Sequence, residues 1–316
     1  MPRSSAFPAG EGEPPVTFSR LSERAYAFTA GNDPTSGVVV GDDGVLLVDA
    51  QPTPARALTL LQRLRDVTDK PVRWVVLTGY AATRTLGASL FEGAQVVCSE
   101  ATREEIVERG AADLKLQVLR DPRLFADADS IPGLTHPTIT FGDRLSLWLG
   151  KLRVDLLQPG RGPSKGGSVV WLPEERTLFA GDLVASTASP EGTSAHVRDW
   201  PETLQSVQAL APQAVLPGRG DPLLDESSVA QGFAATGDFL RALWAVVTAA
   251  PPGEIPLKQA CEQARMALAP AFGERPDFAA ALPVAVARAL DEARGLDHPR
   301  LWTVERELEL RRALES

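Results

Sequence analysis

Short apolar runs of the kind that form β-strands fall into two clusters along this chain, and this pattern restricts the fold more than any other feature. The first cluster extends over residues 16–100 and alternates with helical patterns in its second half. The second cluster covers residues 138–181 and is followed by a helix near 200–211 and a strand near 214–218. Strand clusters that alternate with helices are typical of α/β proteins. We therefore predict two sheets covered by helices, an αββα four-layer sandwich.

From Asp225 onward the pattern becomes nearly all helical. Apolar residues recur at helical spacing over about 225–250, 254–269, 277–294 and 301–315. We divide the chain into a flexible N-terminal arm (1–15), a domain (16–224) and a helical C-terminal extension (225–316). The charged, amphipathic end of the extension is compatible with two roles, a homodimer interface or a lid over a pocket.

Charge and cysteine content restrict the partners of the protein. The formal net charge of −9 argues against binding to nucleic acid or to an anionic membrane, which favour a basic face. Cys98 and Cys261 lie far apart without a paired spacing, as in a reduced protein. The apolar stretch 242–250 is too short to span a bilayer. These features predict a cytoplasmic protein that binds neither nucleic acid nor membranes.

The turn at residues 78–84, Thr-Gly-Tyr-Ala-Ala-Thr-Arg, joins a buried strand to a short helix predicted over 85–91. Loops held by a rigid scaffold in this way often carry catalytic groups. Gly79, Ala81 and Ala82, however, have no reactive side chain. The three histidines of the chain are scattered, at His136, His196 and His298. The turn thus has the position of an active-site loop without its chemical groups.

Four sequence segments resemble conserved motifs of the metallo-β-lactamase superfamily and occur in the same order along the chain as in that family. They are GVLLVDA at 44–50, VVLT at 75–78, VVWLPEERTLFAGDL at 169–183 and AVLPGRGDP at 214–222. The resemblance covers residues 16–224. It implies the αββα fold and a site for one or two zinc ions in loops at the edge of the sandwich.

The resemblance also implies where the zinc ligands of the family would stand. Those positions are occupied here by Gly79, Ala81, Thr83, Arg84, Pro163, Asp182 and Arg219. Only Asp182 retains the family's residue. Zinc needs about three or four nitrogen, sulfur or oxygen donors held together. We therefore predict no metal and no other cofactor.

Charged residues at these positions predict a different kind of site. A buried Asp182 without a metal needs a cation, and Arg84 and Arg219 are the candidates. The cluster is either a structural plug that keeps the loops closed or, with side chains from neighbouring loops, a pocket whose surplus positive charge holds a small anionic ligand. The candidate pocket residues are Tyr80, Thr83, Arg84, Lys165, Asp182 and Arg219.

A Gly-x-Ser-x-Gly match at residues 162–166 supports a rival interpretation. Ser164, Asp182 and His196 follow a chain order known from serine hydrolases, but a strand rather than the required helix follows the serine. We predict a non-catalytic binding or regulatory relative of the hydrolases. The alternative is a hydrolase of a small ester, thioester or lactam that uses Ser164 or an unrecognised metal site.

Overall fold

The computed structural model describes residues 12–251, 253 and 255–315, and two sheets form its centre. The first sheet has seven strands in chain order, antiparallel from the first to the fourth and parallel from the fourth to the seventh. These strands are β1 (Val16–Arg20), β2 (Ala25–Ala30), β3 (Ser36–Val40), β4 (Val45–Val48), β5 (Val72–Val76), β6 (Gln95–Ser99) and β7 (Ile139–Phe141).

The second sheet has five strands, and only its pair of β11 with β12 is parallel. Its strands, in spatial order, are β12 (Ala214–Pro217), β11 (Thr177–Gly181), β10 (Val169–Leu172), β9 (Leu152–Leu157) and β8 (Arg144–Leu149). The helices are α1 (Pro54–Arg65), α2 (Ala82–Thr85), α3 (Glu100–Arg120), α4 (Trp200–Gln208), α5 (Glu226–Val247), α6 (Leu257–Phe272), α7 (Phe278–Ala293) and α8 (Val304–Glu315).

Three apolar cores separate the layers of the sandwich. Strand β4 is apolar at every position because Leu46 and Val48 face the second sheet while Val45 and Leu47 face the outer helices. Helices α1 and α3 cover the outer face of the first sheet, and α4 to α7 cover that of the second. The predicted α/β sandwich with additional C-terminal helices is confirmed.

The turn after β5 differs from the prediction. The helix begins at Ala82, not at residue 85, and continues into a 3₁₀ turn over Leu86–Leu90. The carboxylate of Asp113 on α3 accepts a hydrogen bond of 2.7 Å from the backbone N–H of Ala82. This cap comes from a residue distant in sequence, so local pattern could not reveal it.

The C-terminal helices reach from the second sheet to the helix layer of the first. Trp302, which precedes α8, packs with Leu310 of α8 against Leu116 of α3 and Val284 of α7. Glu307 of α8 accepts hydrogen bonds from Arg120 (2.8 Å) and from the indole N–H of Trp302 (2.9 Å). The extension therefore crosses the edge of the sandwich.

Two further sequence expectations concern the termini and the membrane. Most of the predicted flexible arm lies outside the described residues, and in its described part Glu13 pairs with Arg56 at 2.7 Å. No helix in the described ranges combines the length and the apolar composition needed to cross a membrane. Cys98 and Cys261 are both buried free thiols.

Gly37 of β3 offers a test of the packing between the sheets. A Cβ atom at this position would overlap the ring of Phe179 in β11 and lie 3.1 Å from the Cβ atom of Val48. We expect Gly37→Ala to lower the free energy of unfolding by about 1–3 kcal/mol through overpacking. Urea denaturation measures the change, with Gly142→Ala as control because its added Cβ meets no atom within 4 Å. Equal stability of the two variants would contradict the described packing.

Candidate functional site

The guanidinium of Arg84 is buried at the edge of the sandwich where loops from both sheets meet. Its side chain is 1% exposed. It donates two hydrogen bonds to the carboxylate of Asp182, of which Nε–Oδ2 measures 2.7 Å. It also donates to Oδ2 of Asp49 (3.1 Å) and to the carbonyl oxygen of Gly218 (2.9 Å). The two parallel bonds to Asp182 are the arrangement that a planar guanidinium favours.

Asp49 is the member of this cluster that sequence reasoning missed. It directly follows β4, in the left-handed region with φ of 59°, and accepts hydrogen bonds from the N–H (2.8 Å) and hydroxyl (2.7 Å) of Thr78. Since β4 and β5 are parallel neighbours, the residues after them meet at one edge. An acidic residue at the end of the buried strand GVLLVDA was the available signal.

The ion pairs fix the charges of the cluster. Burial favours the neutral form of Asp182, but Arg84, with a smaller effect from Arg219, holds the pKa of that carboxyl below its usual range. Burial likewise opposes the charge of Arg84, yet Asp182 and Asp49 raise the pKa of the guanidinium above its ordinary value. Arg84 and Asp182 are therefore both charged at neutral pH.

The turn after β12 packs against the ion pair of Arg84 with Asp182. A Cβ atom at Gly218 would overlap the guanidinium of Arg84 and lie 2.6 Å from Oδ1 of Asp182. Only glycine allows so close an approach of the backbone. The Pro-Gly turn is thus part of the support of the cluster.

Three other predicted pocket residues, Arg219, Tyr80 and Lys165, lie in different surroundings. Arg219 is half-buried, and its Nη1 donates to the carbonyl oxygen of Asn32 at 3.1 Å without an ion pair to Asp182. Tyr80 is buried, with its hydroxyl 2.7 Å from that of Ser194. Lys165 lies outside the cavity and pairs with Glu104 at 2.7 Å.

These positions correct the predicted charge of the cluster. Lys165 does not contribute, and Asp49 adds a negative charge that the sequence analysis did not count. Burial raises the pKa of Asp49, while its ion pair with Arg84 and the two hydrogen bonds from Thr78 favour the charged form, so Arg84 and Arg219 stand beside the two carboxyl groups of Asp49 and Asp182. The predicted surplus of positive charge is absent from this group of four residues.

A cavity of about 370 Å³ opens beside Asp182. The turn 78–84 and the loops around Pro163 and Asp182 line one side, and α3, α7 and α8 line the other. Its volume is in the range of small-molecule sites, about 300–1,000 Å³. The charged lining residues are Asp33, Asp113, Asp121, Asp182, Glu191, Asp277 and Glu307 together with Arg120, Arg123, Arg219 and Arg311.

The C-terminal extension supplies one wall of this cavity. Ala280, Ala281 and Val284 of α7 give it an apolar surface, and Glu307 of α8 gives it a carboxylate. Of the two roles considered for these helices, covering a pocket agrees with this placement. Helical spacing alone did not indicate which apolar face of α7 would line a cavity.

The side chains beside Asp182 do not fit a zinc ion. Gly79, Ala81 and Pro163 line the cavity but bring no donor atom. Both oxygens of Asp182 already accept hydrogen bonds from Arg84, whose permanent charge would repel a divalent cation. Across the described ranges, no three His, Cys, Asp or Glu side chains are grouped so that they could hold a metal ion.

Ser164, Asp182 and His196 do not form a hydrogen-bonded triad. The hydroxyl of Ser164 donates to the buried carboxylate of Glu105 at 2.8 Å. Both ring nitrogens of His196 are buried without a hydrogen-bond partner in the part of the chain that the structure describes, and burial lowers the pKa of this imidazole to about 4. Ser164 therefore lacks the histidine base that the rival interpretation requires.

Comparisons with known proteins give a consistent picture. The family model of the metallo-beta-lactamase superfamily matches residues 30–219, more than half of the chain. The type 2 metallo-beta-lactamase of Bacteroides fragilis is 24% identical over 65% of this chain and 80% of its own. A linear primary-alkylsulfatase of a Pseudomonas species is 22% identical over 64% of this chain and 44% of its own. The solved metallo-beta-lactamase from Pontibacter korlensis has a TM-score of 0.54 and 21% identity over 70% of this chain and 98% of its own.

Removal of Arg84 tests the importance of the ion pairs. We expect Arg84→Met to lower the free energy of unfolding by about 3–5 kcal/mol, since it leaves the buried Asp49 and its neighbour Asp182 without their cation. Arg219→Met is the matched control and should cost less than about 1 kcal/mol, because Arg219 is half-buried and outside any ion pair with Asp182. Chemical denaturation at neutral pH measures both. Similar losses in the two variants would show that Arg84 is not the centre of the cluster.

Proposed function

Because this chain belongs to the metallo-beta-lactamase superfamily, we propose that it is a non-catalytic binding relative of these hydrolases, with Arg84 in place of the metal ions. The observation that carries the proposal is the buried guanidinium of Arg84 bonded to both oxygens of Asp182. The sequence resemblance assigns Asp182 to the metal site of the family. Arg84 supplies the positive charge there without a metal.

The proposal follows from what hydrolysis requires. Relatives of the chain are named as enzymes that act on lactams or on alkyl sulfates. Such a reaction needs a group that polarises the substrate and an activated nucleophile. The guanidinium of Arg84 makes four hydrogen bonds, to Asp182, Asp49 and Gly218, and Arg84 does not line the cavity. Ser164 is bonded to a carboxylate and lacks a histidine.

Binding of a small molecule agrees better with the cavity. Its volume of about 370 Å³ suits a small organic ligand. Arg219 lines it and makes one hydrogen bond among the described residues, to Asn32, so its remaining N–H groups are available. We assign an anionic group of the ligand to Arg219 and its apolar part to the α7 surface of Ala280, Ala281 and Val284.

Metal analysis tests the first half of the proposal. Protein produced with added zinc, iron and manganese and then dialysed should contain none of these metals in stoichiometric amount. The matched control is the combined variant Gly79→His, Ala81→His, Thr83→Asp, Arg84→His, Pro163→His and Arg219→His, which should bind zinc. The substitution Gly79→His has room for its Cβ atom, because a Cβ atom at this position meets nothing within 4 Å.

Two results would favour the hydrolase alternative instead. One is a tightly bound metal ion in each wild-type chain. The other is covalent labelling of Ser164 by a fluorophosphonate probe, with loss of the label in Ser164→Ala.

Ligand binding tests the second half. Hexanoate should raise the melting temperature of the wild-type protein, since a ligand present at a hundred times its Kd stabilises the folded state by about 2.7 kcal/mol. The increase should disappear in Arg219→Met and persist in Lys165→Met, whose side chain lies outside the cavity. Measurements at constant ionic strength with chloride as reference exclude a general salt effect. An increase that survives Arg219→Met would overturn the assignment of the anionic group.

A further inference from the structure

Carboxylates outnumber cations on the wall of the cavity. Seven Asp or Glu residues and four Arg residues line it. Five of these carboxylates have an Arg side chain within 4.0 Å. The exceptions are Asp113 and Asp277, which form no ion pair with any described residue. Apart from the cluster at Asp182, the wall of the cavity therefore carries two carboxylates without a direct ion pair to a described residue.

Asp113 is the more deeply placed of the two. It lies on α3, is 5% exposed, and accepts hydrogen bonds from the backbone of Ala82 (2.7 Å) and the side chain of Gln117 (3.0 Å). Burial raises the pKa of Asp113 to about 6. Asp277, just before α7, accepts from the N–H (3.0 Å) and the hydroxyl (3.1 Å) of Ser189. Arg120 acts on Asp113 and Arg275 on Asp277 from a distance, but neither carboxylate has an arginine among the described residues in direct ion-pair contact, which is costly for the buried Asp113.

Thr83 provides an independent sign of a ligand at the same wall. Its side chain lines the cavity and the residue is 4% exposed. Its hydroxyl forms no hydrogen bond with the described residues and is not one of the fully enclosed polar atoms that lack a partner, so a molecule in the cavity can reach it. Thr83 follows Ala82, whose N–H is bonded to Asp113, so Thr83 and Asp113 belong to the same part of the wall.

We propose that the ligand of this cavity is a small amino-carboxylate, whose ammonium group binds at Asp113 and Thr83 while its carboxylate binds at Arg219. The inference rests on the proposed binding function. An ammonium group supplies three N–H donors, enough for the carboxylate of Asp113 and the hydroxyl of Thr83 together. It also neutralises the buried charge of Asp113. A purely anionic ligand keeps the contact with Arg219 but gains none at Asp113 and Thr83, so it should bind more weakly than the amino-carboxylate.

The charged neighbours of Asp113 define how binding depends on pH. Arg120 lies on the same helix and pairs with Glu191, from the loop that precedes α4, at 3.8 Å. Tyr80 faces Asp113 from the turn 78–84 and stays neutral because burial raises the pKa of its phenol. Asp113 must lose its proton to hold an ammonium group. Since its pKa lies near 6, affinity for an amino-carboxylate should rise between pH 5 and pH 7.

Matched probes test this inference by calorimetric titration of the full-length protein. The pairs are 6-aminohexanoate with hexanoate and 4-aminobutanoate with butanoate. For at least one chain length, the amino compound should bind about tenfold more tightly than its partner at pH 7, the value expected for one charge-assisted hydrogen bond. This ratio should decrease toward one at pH 5.

Variants separate the role of Asp113 from general electrostatics. Asp113→Asn keeps an oxygen acceptor for Ala82 and should bring the ratio close to one at both pH values while hexanoate still binds. Glu104→Gln removes an acidic group from the same helix outside the cavity and should leave the ratio unchanged. Asp277→Asn, a second neutralising variant at the wall, should reduce the ratio less than Asp113→Asn.

The outcomes distinguish this inference from the proposed function. If the carboxylates bind through Arg219 and the amino group adds nothing, the amino-carboxylate inference is wrong and the binding function stands. If neither the carboxylates nor the amino-carboxylates bind, the proposed function is wrong, because the cavity is then not a binding site for small anions. A tenfold preference that Asp113→Asn leaves intact would overturn the assigned position of the ammonium group.

Discussion

The buried guanidinium of Arg84 is the interaction on which the edge of the sandwich depends. It holds together the end of β4 through Asp49, the loop after β11 through Asp182, and the turn after β12 through Gly218. Arg84 itself follows β5, so residues from both sheets meet on one side chain. Because a guanidinium does not lose its proton in proteins, the cationic member of this link keeps its charge when the pH changes. The cavity beside it inherits that fixed geometry.

Sequence patterns predicted the fold well because strand alternation and helix spacing are local properties. A cation beside Asp182 was also expected, with Arg84 and Arg219 as the candidates, and the structure pairs it with Arg84. The errors concern side chains whose direction depends on distant contacts. Lys165 turns away to Glu104, and α2 begins early because Asp113 caps it. Asp49 was visible as a residue, but its role depends on the parallel pairing of β4 with β5.

The chemistry of the cavity comes from two parts of the chain, one inside and one outside the segment that matches the superfamily. The loops around Gly79, Asp182 and Arg219 lie within the segment that matches the superfamily. Asp277, Glu307 and the apolar surface of α7 lie in the C-terminal helices, beyond that segment. Under the proposed binding function, selectivity for a ligand depends on helices that the family match does not include.

The same ion pair has a consequence for how this sequence can change over generations. A Cβ atom added at Gly79 meets no atom within 4 Å, but a histidine there stands beside a permanent cation that opposes a metal. Replacing Arg84 first leaves the buried Asp49 and the partly exposed Asp182 without their direct ion pair. Either of these two substitutions alone is therefore without benefit or harmful to folding. A metal site in this chain would therefore require that Arg84 and the ligand positions change together.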